Sequence, residues 1–163
     1  MDVLNHKKTR GFTLVEAVIV ISVIAILATF IGMKIPSAPA VNMSTQAQQL
    51  ANDIRYTQLL AMSKGQRYYI TLGGSSYQIL GLDGTTVIMA NGSTSVTLGT
   101  GITISGKTNL PNSLISFDGE GTPYTDITAT PAALAAQATI TLSGGGITAI
   151  ITIAPNTGWA TVS

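Results

Sequence analysis

Read for hydrophobic spacing alone, the chain falls into three stretches with three different periods. From Phe12 to Met33 it runs FTLVEAVIVISVIAILATFIGM, an almost unbroken apolar segment. As a helix this segment extends ~33 Å at about 1.5 Å per residue, enough to cross a hydrocarbon core of about 30 Å. From Ser44 to Ser63 the spacing becomes one-sided: Ala47, Leu50, Ala51, Ile54, Leu59 and Met62 recur near i, i+3, i+4, i+7, while Gln46, Gln49, Asn52, Asp53 and Arg55 take the other side. Ser44 is placed to cap this amphipathic helix and Gly65 to stop it. Beyond Gly65 the period drops to two.

Segments rich in Thr and β-branched residues then read as nine strands: 67–72, 77–80, 86–89, 95–98, 102–104, 114–117, 138–142, 147–153 and 159–162. Gly73-Gly74, Asp83-Gly84, Asn91-Gly92, Gly99-Thr100-Gly101, Asp118-Gly119, Gly144-Gly145-Gly146 and Asn156-Thr157-Gly158 punctuate them as turns. The fold class that follows is α+β: a long N-terminal helix and then an antiparallel β head, sandwich-like because so many short strands suit two packed sheets. Ile35-Pro36-Ser37-Ala38-Pro39-Ala40 reads as a kink or short extended interruption between the helical pieces. The Ala-rich stretch 130–136 reads as a loop with one helical turn.

Charge changes the picture at the amino terminus. His6, Lys7, Lys8 and Arg10 precede the apolar run, so its carboxyl end is expected to emerge on the far side of a membrane. A signal peptide cut after Ala40, at the A-x-A-like Ala38-Pro39-Ala40, would release a secreted β-protein. Its apolar region, however, would exceed the usual 7–15 residues. A plain single-pass anchor is the other ordinary reading. Neither accounts for Glu16, a carboxylate inside the apolar run, where an unpaired charge costs about 2.5–3.5 kcal/mol at the bilayer centre. That charge asks for a partner.

Behind the basic leader, Gly11-Phe12-Thr13-Leu14-Val15-Glu16 resembles the class III signal of type IV pilins and pseudopilins. The resemblance implies removal of residues 1–11 by prepilin peptidase between Gly11 and Phe12, N-methylation of Phe12, and retention of 12–35 as a transmembrane and assembly helix. Residues 41–65 would be its amphipathic second half, and 66–163 the head. It also implies that Glu16 pairs with the amino-terminal charge of a neighbouring subunit. The partners would be other pilin-like subunits, the peptidase and an inner-membrane assembly platform, with the head outside the inner membrane until the subunit enters a pilus or pseudopilus. Many such proteins carry a kinking proline where this chain has Met33. The stretches 61–67, 115–123 and 151–159 look like the GspH/FimT type of minor pseudopilin, with a major filament subunit or an adhesion or DNA-uptake minor pilin as alternatives.

Composition narrows the chemistry. Only 9% of residues are charged, against roughly 25% in soluble domains, while 45% are hydrophobic and mean hydropathy is +0.41. Disorder is excluded. There is no Cys and no His beyond His6, which removes disulfides, thiol nucleophiles and the usual triad or zinc chemistry from the body of the chain. A structural, non-enzymatic subunit without a cofactor is expected. Asp118, Glu120 and Asp126 are the one acidic cluster and a weak calcium candidate, since no D-x-[DN]-x-[DN]-G loop surrounds them. The net charge of +1 belongs to the leader: past Gly11 stand five basic residues (Lys34, Arg55, Lys64, Arg67, Lys107) and six acidic ones. Arg55, Lys64 and Arg67 read as a solvated helix end rather than a phosphate-binding patch. FimT-like DNA binders use arginines in the carboxyl-terminal tail, whereas no positive charge follows Lys107 here, so nucleic acid is not expected as a partner. Trp159 could stack on a base, but a buried or interface Trp closing a strand is the expectation.

Overall fold

The computed structural model describes residues 13–31, 38–89 and 92–163. It divides into two units, residues 1–36 and 37–163. The leader, the Gly11/Phe12 junction, residues 32–37 and the pair Ala90-Asn91 lie outside the described residues, and with them the processing site and most of the expected interruption.

In the first unit α1 spans Leu14–Ile31, against the expected 12–35. Thr13 caps it: its Oγ1 accepts the Glu16 N–H at 3.3 Å, and Ala17 N–H bonds the Thr13 carbonyl at 3.1 Å. Thr13-x-x-Glu16 is the spacing of a capping box, and a carboxylate in the first turn also complements the helix dipole. Every described side chain from 13 to 26 is exposed, although apolar residues lie on all sides of the helix. At 18 residues α1 is about 27 Å long, and among the described residues no helix is long and apolar enough to cross a membrane.

The second unit opens with α2, Ala38–Lys64. The helix therefore begins earlier than expected: Ala38-Pro39-Ala40 are helical rather than extended, because a proline in the first turn gives up an N–H that has no partner there anyway. Ser44 lies in the second turn and is not the cap. Met43, Ala47, Leu50, Ala51, Ile54, Thr57 and Ala61 form the buried stripe. Leu59 and Met62, expected inside, are 62% and 49% exposed, since at about 100° per residue Leu59 lies some 140° from Ile54. Thr57 takes the core position instead and satisfies its hydroxyl on the Asp53 carbonyl at 2.7 Å. Gly65 ends the helix as expected: its φ is +60°, and Gln66 N–H reaches the Ala61 carbonyl at 3.3 Å.

Nine strands follow: β1 Tyr68–Leu72, β2 Ser76–Gly81, β3 Val96–Thr97, β4 Thr103–Thr108, β5 Leu114–Phe117, β6 Pro123–Tyr124, β7 Ala138–Gly144, β8 Ile147–Ile153 and β9 Ala160–Val162. They form two antiparallel sheets, ordered β3-β2-β1-β5-β6 and β4-β7-β8-β9. Ile70 faces Ile79 on one side and Ile115 on the other, and all three are fully buried. α2 packs on β1 and β5 of one sheet and on β7, β8 and β9 of the other, so a single core is shared by both sheets and the helix.

The strand inventory differs from the expected one in particulars. Residues 86–89 are not a strand: Thr86 makes one bridge to Leu80, and Ile88 stands 67% exposed. β4 runs on to Thr108 over an irregularity between Ile104 and Gly106. The Ala-rich stretch has no helical turn. It is drawn out along β6, where Thr125 N–H bonds the Ala132 carbonyl and Leu134 N–H the Pro123 carbonyl, both at 2.9 Å, and Leu134 is buried. Burying Leu134 and pairing an otherwise open edge outweigh the helical preference of alanine.

Candidate functional site

Three places singled out in the sequence can be followed into the structure. Glu16 stands exposed in the first turn of α1, its backbone N–H capped by Thr13. The cap uses the Glu16 backbone and not its carboxylate, which complements the positive end of the helix dipole.

The acidic loop is committed to its own backbone. Asp118 Oδ1 accepts the N–H groups of Glu120 at 3.0 Å and Thr122 at 2.9 Å, and its Oδ2 accepts the Tyr124 hydroxyl at 2.9 Å. Partial burial pushes the Asp118 carboxyl up, but these bonds and the Arg67 charge outweigh it and hold the group below the usual range. Asp126 accepts Ala132 N–H, Thr128 N–H and the Thr128 hydroxyl, which likewise lower its pKa. Arg67 stacks on Tyr124 at 4.6 Å. Among the described residues no group of three ligating side chains is placed to hold a metal ion. Both aspartates act as turn-closing acceptors.

At the carboxyl-terminal end, residues far apart in sequence meet. Trp159 is not buried and closes no strand: it precedes β9, is 55% exposed, and its ring faces the Arg55 guanidinium at 4.6 Å. Arg55 uses its donors within the fold: Nε donates to the Ala160 carbonyl at 2.9 Å, Nη2 donates to the same oxygen, and Nη1 donates to Asn52 Oδ1 at 2.8 Å. Gln58, one turn on, donates to the carbonyls of Gly121 at 2.8 Å and Thr157 at 2.6 Å. Gly158 packs beneath them at φ +66°, where a Cβ would lie 2.5 Å from Phe117. Arg55 and Gln58 thus fasten the last strand and the 118–122 loop to α2. The helical period put Arg55 on the polar side and grouped Gln58 with Leu59 in the apolar spacing, and it could not name the carbonyl partners of either.

An exposed helix with apolar residues on every side thus precedes a head in which α2 and two antiparallel sheets share one core. A prokaryotic N-terminal methylation motif matches residues 6–32, and the family described as type II transport protein GspH matches residues 46–157. The chain belongs to the GspH family, as a pilin-like minor pseudopilin, and is not an enzyme. It is 38% identical over 78 residues to competence protein ComGD of Bacillus subtilis (strain 168), a match covering 47% of this chain and 53% of that protein. The chain thus spans about half the length of this curated relative. Its fold is similar to the type IV minor pilin FimU of Pseudomonas aeruginosa PAO1, with a TM-score of 0.51 at 15% identity, over 74% of this chain and 87% of that one.

Proposed function

We propose that the chain is a minor subunit cut by prepilin peptidase between Gly11 and Phe12, methylated on Phe12, held as a single pass in the inner membrane with its head on the outer side, and drawn by an assembly platform into a pilus or pseudopilus. The observation that carries this reading is α1: apolar on every side, exposed along its described length, with one carboxylate in its first turn behind the methylation motif. Phe12, Gly32 and Met33 extend that apolar segment toward the thickness of a bilayer. Once helices leave lipid for a filament core, Glu16 would be buried without compensation unless the ammonium of a neighbouring chain meets it. The pair then acts as a register device.

Intact-mass measurement of the mature protein tests the processing: a chain beginning at methylated Phe12 supports it, and one beginning at Val41 overturns it. Glu16→Ala is expected to be processed and inserted yet lost from filaments, and normal incorporation would defeat the pairing. Similarity to a competence protein favours a second, narrower reading in which the filament serves DNA uptake. Deleting the gene should then abolish transformation while leaving protein secretion intact. With no positive charge after Lys107, the head itself is not expected to bind DNA; submicromolar gel-shift affinity at low salt would overturn that expectation.

A further inference from the structure

The Asp53 carboxylate takes no part in the acidic loop or in the carboxyl-terminal contacts. It leaves α2 toward β2, where the Tyr77 hydroxyl donates to its Oδ2 at 2.6 Å. Tyr77 is itself buried, so the carboxylate is fixed in place. Its second oxygen has no hydrogen-bond partner among the described residues. Asp53 lines a half-open cleft of about 330 Å³ together with Asn52, Tyr56, Ile88 and Met89, one acid and no base. Met89 is buried, whereas Tyr56 is 41% and Ile88 67% exposed, so apolar surface continues past the mouth of the cleft. Burial raises the Asp53 pKa and the Tyr77 bond only partly offsets it, which marks a charge that has lost water without gaining a counter-ion. Arg55, Arg67 and Lys107 are all bonded to carbonyls elsewhere.

We propose that this cleft receives the side chain of a lysine on a neighbouring subunit, its ammonium on the free Asp53 oxygen and its methylene stem along Tyr56 and Ile88. The inference rests on the assembly reading above for its partner, though not for the site. A fixed, half-desolvated carboxylate selects a cation, and an apolar wall beside it selects one carried on an alkyl stem. The exposed apolar flanks suit a cation delivered on a protein surface.

The test has two arms. With full-length protein in detergent micelles, n-butylammonium is titrated while the Asp53 carboxyl carbon and the Tyr56 ring are followed by NMR, with n-butanol as the neutral isostere. Saturable binding at least tenfold tighter than butanol is expected. It should be lost by tenfold or more in Asp53→Asn, which keeps an acceptor for Tyr77, and weakened a few-fold in Tyr56→Ala, an exposed side chain of the cleft wall. Equal binding of butanol, or unchanged binding by Asp53→Asn, overturns the site. In the second arm, assembled protein is treated with a carbodiimide, which joins a carboxylate to an adjacent amine as an amide while taking up the water released. A cross-linked peptide joining Asp53 to a lysine of another subunit, absent in Asp53→Asn, is expected. Butylammonium binding without that peptide overturns the subunit partner. Failure of the parent protein to pellet as filaments is a separate result that sinks the assembly reading and this partner with it.

Discussion

The two helices of this chain are built on opposite plans. α1 is apolar on every face and none of its described side chains is buried, whereas α2 carries one apolar stripe and buries it under two sheets. A helix with one apolar stripe finds its partner within its own domain. A helix apolar all round must find one in lipid or among other helices, so its sequence is accounted for by an assembly that the single chain does not contain. The contrast separates residues that hold the head together from those that hold subunits together.

Truncation probes this contrast most strongly. Leu50→Ala in the buried stripe of α2 should cost about 2–5 kcal/mol of head stability in chemical denaturation, while Ile19→Ala on α1 should leave the same midpoint unchanged; equal effects would break the distinction. Gly158→Ala forces a side chain onto Phe117 at a positive φ, and a loss of about 1–3 kcal/mol is expected from the clash and the strained backbone. Arg55→Ala strips the buried Ala160 carbonyl of its donors and should cost about 1–3 kcal/mol. Arg55→Lys should recover only part of this, since an ammonium cannot reproduce the fork.

Acid titration sharpens the comparison within the head. Asp118 and Asp126 have lowered folded pKa values, so the stability they contribute is present above the ordinary 3.8 and is lost as pH falls through the folded values. Asp53 is raised, so its contribution is full below 3.8 and is lost as pH rises through its folded value. Asp118→Asn should flatten the acid limb of stability against pH, and Asp53→Asn should remove the decline above 3.8. The smallest effect belongs to Leu59→Ala, on the outer side of α2, which should stay within about 0.5 kcal/mol of the parent.

Several elements were legible because one local rule decided each. Gly65 stops α2 because only a residue tolerant of positive φ closes that helix end. The Ile147–Ile153 strand was plain from its run of Ile and Thr, as was the Gly-rich turn before it. Other elements failed where tertiary contacts outvoted local preference. The phase of α2 was misjudged at Leu59 and Met62 because Thr57, polar by type, holds a core position by bonding back to Asp53. β6 begins with a proline, a poor strand signal, and is made possible by its edge position beside the drawn-out alanine stretch.

What the sequence determined by itself is the division of labour: a helix without a polar face behind a methylation motif, a one-sided helix, and β-branched alternation after Gly65. Each rests on a period or motif contained within a few turns of chain. What only the tertiary structure decided is the use of the polar side of α2. Asp53 meets Tyr77 24 residues on, Gln58 meets carbonyls 63 and 99 residues away, and Arg55 meets one 105 residues away. A hydrogen bond depends on where its acceptor comes to lie in space, and that follows only from packing the whole head around one core.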